Sequence, residues 1–271
     1  MSRVVLIGGA GRMGRTLAAC LLDGLVPGLE LAGAVDVAGK PEQGIDLGTL
    51  AGRPPCGIPL TADLPAALDR GDVFIDFSFH TGIRERINLL AAARKPVVIG
   101  TTGLSGSETD ALRGLASVTP LLFSANMSLG VNLLAALVRQ AAAMLSDKGY
   151  DIEITEMHHR LKKDAPSGTA LLLGQAAAEG AGWKLSEVQK DGRSGITGER
   201  PAKEIGFHAL RGGDVVGDHT VRFAADGELI DLSHRATRRE TFAIGALRAA
   251  AWLLNQNPGK LYSMNDVLGI R

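Results

Sequence analysis

The 271-residue sequence has only two cysteines, Cys20 and Cys56. Cys20 falls in an apolar helical pattern and Cys56 in a Pro/Gly-rich loop, with no CxxC pair and no Cys/His metal spacing. This argues against a disulfide framework and points to a reducing, cytoplasmic setting. Charge of one sign is lacking too, with 29 basic side chains against 29 acidic ones. That balance speaks against nucleic acid or an acidic membrane surface as partner. No apolar run reaches the about 18 residues of a membrane span. Val4–Ile7 is too short for a signal-peptide core before the chain turns glycine-rich. No internal repeat or low-complexity tract is visible.

What is present is apolar substance, 45% of the residues, enough to bury a sizeable core in one large or two ordinary domains. Continuous apolar strands are expected at Val4–Ile7, Leu29–Val35, Val73–Phe77, Pro96–Ile99 and Pro120–Phe123. Helical stretches at Gly11–Leu22, Arg84–Ala93 and Glu108–Leu115 separate several of them. Such alternation predicts a parallel sheet covered on both faces. From Asp151 the texture changes. Polar and apolar residues alternate in Asp151–Thr155 and in parts of Lys203–Ala209, Val215–Ala224 and Glu228–His234, which predicts strands with one wet face. Phe242–Leu254 is again an apolar helix, and Asp191–Arg200 has the composition of a mobile loop. The expected fold class is α/β: a Rossmann-like parallel-sheet dinucleotide domain plus a second α+β domain with a mixed or antiparallel sheet. Residues 1–127 and 240–271 are assigned to the first and 128–239 to the second.

Gly8-Gly9-Ala10-Gly11-Arg12-Met13-Gly14 follows the first strand and opens the first helix. Glycines 8, 11 and 14 fit a GxxGxxG form of the dinucleotide fingerprint, and 9, 11 and 14 fit GxGxxG equally. Either way, glycines allow backbone amides to approach a pyrophosphate while the helix N-terminus supplies partial positive charge. Asp36, ending the second strand, is placed to accept hydrogen bonds from the adenine-ribose hydroxyls. A carboxylate there repels a 2′-phosphate and Val37 offers no guanidinium to hold one. NADH is therefore favoured, with Lys40 softening the preference against NADPH. Gly100-Thr101-Thr102-Gly103 and Ser124-Ala125-Asn126-Met127 close two later strands and are expected to border the nicotinamide.

The densest chemical signal is Glu156-Met157-His158-His159-Arg160-Leu161-Lys162-Lys163-Asp164-Ala165-Pro166-Ser167-Gly168-Thr169, which leads into an apolar helical run, Ala170–Ala178. Proton donors beside a helix N-terminus suit an anionic substrate that must be protonated. If the chain coiled helically after the strand, His158 and Lys162 would share a face. A metal is not expected, because a third ligand is lacking at useful spacing and neighbouring cations would repel one. Ser167 or Thr169 can cap the following helix, and the amides around Gly168 and Thr169 offer a carboxylate pocket.

These motifs resemble the 4-hydroxy-tetrahydrodipicolinate reductase (dihydrodipicolinate reductase) family of the diaminopimelate–lysine pathway, over essentially the whole chain. The resemblance implies a reductase that passes a hydride from NAD(P)H to 4-hydroxy-tetrahydrodipicolinate with loss of water. It implies a Rossmann-like cofactor domain and a substrate domain whose sheet assembles a homotetramer. Carried over by position, His158 is the proton donor/acceptor and Lys162 a further proton donor, while His159, Gly168 and Thr169 bind the substrate dicarboxylate. Gly8, Gly9, Ala10, Gly11, Arg12, Met13, Asp36, Gly100, Thr101, Thr102, Ser124, Ala125, Asn126 and Met127 hold the dinucleotide. Val37 departs from relatives that carry arginine at that position, which bears on NADPH use alone. A semialdehyde dehydrogenase would need a cysteine in its second half, and a mere NADH sensor would need no cluster of proton donors.

Overall fold

The computed structural model describes residues 1–270. The chain begins with β1 (Ser2–Ile7), α1 (Arg12–Leu22), β2 (Leu29–Val35), α2 (Leu47–Leu50), β3 (Leu60–Thr61), α3 (Leu64–Ala67) and β4 (Val73–Asp76). Next come α4 (Ile83–Ala93), β5 (Val97–Ile99), α5 (Gly106–Ala116), β6 (Leu121–Phe123), α6 (Leu129–Leu145) and β7 (Asp151–His158). These lead into α7 (Gly168–Ala181), α8 (Leu185–Val188), β8 (Gln189–Asp191), β9 (Ile205–Arg211), β10 (Gly217–Ala225) and β11 (Glu228–Ala236). Finally α9 (Glu240–Leu253), β12 (Leu261–Tyr262) and α10 (Met264–Leu268) follow. Two compact units result: Met1–Ser128 with the chain from Glu240 onward, and Leu129–Arg239.

The first unit is a seven-stranded sheet in the order β12-β6-β5-β4-β1-β2-β3, with every pairing parallel. Strand order reverses between β1 and β4, so the loops after these two strands flank the switch point where such sheets bind ligands. All four residues of β4 are buried, as both-face coverage requires. Burying a side chain such as Phe74 or Ile75 is worth about 1.5–3 kcal/mol, and both are fully buried here. Helix α9 returns to pack on α1 and on β4, β5 and β6.

The second unit is a mixed five-stranded sheet, β11-β10-β7-β9-β8. β10 runs antiparallel to β7 and β11, whereas β9 runs parallel to β7 and β8. Ile152, Ile154, Phe207, Val221 and Phe223 form a core with Leu134 and Val138 of α6 and Leu173 of α7. Gly174 lets α7 sit this close, since a Cβ there would lie 2.3 Å from Phe207 Cζ.

Three features were not foreseen. α6, at 17 residues the longest helix in the described chain, is apolar around much of its surface and lacks a clean stripe. The edge strands β3, β8 and β12 are too short to leave a periodic trace. The segment read as a mobile loop is tied down: Arg193 and Arg200 both ion-pair with Glu153, at 2.7 and 2.9 Å.

Candidate active site

In the first unit the predicted cofactor residues gather at the carboxyl ends of the strands. Gly8 to Gly11 link β1 to α1, and Arg12 and Met13 are the first residues of that helix. The turn is too tight for side chains: a Cβ on Gly14 would lie 2.3 Å from Gly8 O, and one on Gly8 would lie 2.9 Å from Ser78 N. Asp36 follows β2 and is fixed by the turn itself, because Ala10 N donates to Oδ2 at 2.9 Å and Val37 N to Oδ1 at 2.8 Å. Gly100, Thr101 and Thr102 follow β5, and Ser124 N donates to Ile99 O at 3.2 Å, bringing the Ser124–Met127 loop beside them. A cavity of about 450 Å³ opens against Gly8, Asp36 and Val37, with Leu64, Pro65 and Leu89 as apolar walls.

Sequence reasoning missed a group that ties this region together. Asp76, the last residue of β4, is 1% exposed. Its Oδ1 accepts from Ser78 N at 2.8 Å and Thr101 Oγ1 at 3.2 Å, and its Oδ2 accepts from Arg86 Nε at 2.9 Å. The Arg86 guanidinium also donates to the carbonyls of Phe79 and Thr81, at 2.8 and 3.0 Å. An acid closing an otherwise apolar buried strand was the available signal.

In the second unit the predicted catalytic residues lie around the end of β7. Its even positions face the core, so Glu156 and His158 are buried in phase with Ile152 and Ile154. His158 Nδ1 lies 2.6 Å from Glu156 Oε2, and the ring meets His219 edge-on at 5.0 Å between centroids. Lys162 and His159 fall in a turn after the strand, with Lys162 N donating to His159 O at 3.1 Å, so the helical coil that would align His158 with Lys162 does not form. The Lys162 ammonium pairs with Asp164 at 2.9 Å, and Arg239 approaches His159 Nε2 at 3.4 Å. Ser167 is the N-cap of α7, its Oγ accepting from Ala170 N at 3.2 Å. Gly168 and Thr169 are thus the first two helical residues, where N–H groups have no acceptor within the helix and anions are favoured.

The charges in this cluster are unequal. Burial pushes the Glu156 carboxyl up, but hydrogen bonds from Arg211 and His158 outweigh it and hold the group below the usual carboxylate range. Burial, aided by the His158 and Lys162 charges and opposed by Glu156, drives His219 down to about 4. His219 therefore stays neutral at physiological pH and lends the cluster no charge. Glu156, Arg211 and His219 were not singled out from the sequence. The usable signal was an acid on the buried phase of β7. Among the described residues no group of His, Cys, Asp or Glu is arranged to hold a metal.

The parallel sheet, glycine turn and switch-point cavity define the class: a dinucleotide-binding α/β protein of Rossmann type joined to an α+β unit. Residues 2–127 match the family described as "Dihydrodipicolinate reductase, N-terminus", and residues 130–268 match "Dihydrodipicolinate reductase, C-terminus". The chain belongs to the dihydrodipicolinate reductase family. It is 53% identical to the 4-hydroxy-tetrahydrodipicolinate reductase of Parvibaculum lavamentivorans over 99% of this chain and 98% of that one. Identity to the enzyme of the same name from Anaeromyxobacter dehalogenans strain 2CP-1 is 49%, covering 100% and 99%. The solved structure of a dipicolinate-bound dihydrodipicolinate reductase from Paenisporosarcina sp. TG-14 is 25% identical, with a TM-score of 0.75 over 97% of each chain.

Proposed function

We propose that this protein is an NAD(P)H-dependent 4-hydroxy-tetrahydrodipicolinate reductase of diaminopimelate–lysine biosynthesis. The full-length identity to relatives of that name carries the reading, and the chemistry of the two residue clusters supports it. The first unit is the cofactor domain and the second the substrate domain. A nicotinamide dinucleotide fits the first unit: Gly8, Gly9 and Gly11 carry no Cβ to bar a pyrophosphate, and the adjoining cavity suits an adenosine. Gly8 to Met13, Asp36, Gly100 to Thr102 and Ser124 to Met127 hold it. When bound, it supplies the hydride.

The chain's own residues do the rest. His159, Gly168 and Thr169 grip the carboxylates of the cyclic substrate, the helix N-terminus lending partial positive charge. The substrate ring gains one hydride and one proton and releases its hydroxyl as water. His158 delivers the proton and Lys162 holds charge nearby, with general acid assistance worth ~10²–10⁴ in rate. NADH is the better cofactor because Asp36 disfavours a 2′-phosphate, while Lys40 keeps NADPH usable.

A homotetramer is part of the proposal. One face of the second sheet carries α6 and α7, while the other leaves Thr155, Leu210 and Leu229 exposed for partners. Cytoplasmic location belongs to it as well and rests on Cys20 and Cys56 being free thiols. Incubation with the condensation product of pyruvate and aspartate semialdehyde tests the activity: substrate-dependent oxidation of NADH is expected. No oxidation above background with either cofactor would overturn the reading.

A further inference from the structure

Every acceptor position on one buried carboxylate of the second unit is engaged. Glu156 is 1% exposed. Its Oε2 accepts from His158 Nδ1 at 2.6 Å and from Arg211 at 2.8 Å, while its Oε1 accepts from the other Arg211 nitrogen at 2.9 Å and from Ser167 N at 3.1 Å. A carboxylate has about four lone-pair sites, so none is left for a ligand, and Glu156 acts only through its partners.

These partners are the proposed proton donor and the N-cap of the helix whose first turn takes the substrate carboxylate. We propose that Glu156 is a positioning residue that fixes the orientation and proton location of His158 and, through Ser167, holds the anion-binding turn in register with it. The inference rests on the reading of His158 as proton donor. A carboxylate at Nδ1 requires N–H there, which leaves Nε2 as the nitrogen that exchanges its proton. The edge bearing Nε2 is kept clear by Gly217, since a Cβ there would lie 3.0 Å from that atom.

The surrounding charges show why the carboxylate is needed. Arg211 on β9 and Lys162 in the turn after β7 disfavour a second cation, while His219 on β10 and His234 on β11 are kept neutral by burial. Asp164 is engaged by Lys162, and Asp218 of β10 by Arg235. Glu156 is thus the acid left to engage His158, with Arg211 balancing it and also donating to Asp164 O at 2.7 Å.

The test is the pH profile of kcat for the full-length enzyme with NADH, in wild type, Glu156→Gln and His158→Ala. Losing the carboxylate lowers the affinity of His158 for its proton, so the alkaline limb of Glu156→Gln should move to lower pH by about one unit, a roughly tenfold loss of kcat on that limb. KM for NADH should stay within about twofold, since Glu156 lies in the other unit from the residues proposed to hold the dinucleotide; a merely unfolding-prone variant would lose active enzyme without moving the limb. Removing one partner of a buried pair strands the other, so the double variant Glu156→Gln/Arg211→Met provides a second route and should still move the limb to lower pH, by less, because a repelling cation leaves together with the carboxylate. Nitrogen NMR of the wild type adds a reading free of folding effects: His158 should carry its proton on Nδ1 in the neutral form. A wild-type limb in both glutamine variants, or an unprotonated Nδ1, overturns the proposal. If instead His158→Ala keeps normal kcat, the proton-donor reading itself fails.

Discussion

Lys40 Nζ lies 2.9 Å from Asp36 Oδ1, so the carboxylate at the end of β2 carries its own counterion. The same carboxylate accepts from the amides of Ala10 and Val37. It is therefore held in place by the glycine turn and partly neutralised by a lysine whose side chain is 35% exposed and able to turn toward a neighbouring anion. An acid alone would repel a 2′-phosphate, and the proposed use of NADPH therefore depends on this ammonium.

Replacing Lys40 by Met should accordingly lower kcat/KM for NADPH about tenfold, the loss of one charge-assisted contact, while changing the NADH value less than about threefold. Both cofactors measured on one preparation give the ratio, which is insensitive to the fraction of active enzyme. A ratio equal to that of the wild type would show that Lys40 plays no part in selection.

His158→Ala and Lys162→Ala should each reduce kcat by ~10²–10⁴, the usual range for general acid catalysis. Cofactor affinity, measured by quenching or calorimetry, should survive because the residues proposed to hold the dinucleotide belong to the other unit. Near-normal turnover in either variant would remove that residue from the proton-transfer step.

The Asp76–Arg86 pair is buried, with side chains 1% and 14% exposed. Breaking such a pair from one side costs about 3–5 kcal/mol. Asp76→Asn should therefore lower Tm by several degrees. It should also raise KM for NADH about tenfold, because Arg86 holds the loop carrying Ser78 and Thr81, which lines the cavity. KM for the substrate should not change; if the two KM values rose together, the loop would not be specific to cofactor.

His219 sets an acid limit on stability. Its folded pKa is depressed to about 4, against about 6.5 unfolded, so the unfolded chain binds the extra proton first. The contribution is fully present above about pH 6.5 and is lost as pH falls toward 4, by up to about 3 kcal/mol. A non-titrating variant, His219→Gln, should show a flatter fall of Tm across that window. Parallel curves for the two proteins would assign the acid sensitivity elsewhere.

The sequence was most legible where the period of apolar residues was strong. Leu29–Val35 was bounded as it stands in the structure, and α1 was displaced by one residue at its start. Both elements have a single dominant pattern and sharp glycine or polar ends. α6 was missed because a helix apolar on most sides gives no stripe to read. β3, β8 and β12 were missed because two or three residues carry no period, and their strand character comes from pairing alone.

Around the candidate site, local chemistry was readable and long-range chemistry was not. The glycine turn, Asp36, the His158–Lys162 segment and the Ser167 cap are each contiguous in the chain, and their residue types announce turns, caps and anion sites. The bonds that organise them join residues far apart, such as Glu156 to Arg211 and Asp76 to Thr101. A buried carboxylate must find its donors wherever the fold brings them, because leaving it unpaired would cost several kcal/mol. Residue type and spacing thus determined the kinds of group available for redox and proton chemistry. Only burial and strand pairing decided which carboxylate would hold which imidazole, and which histidine would stay uncharged.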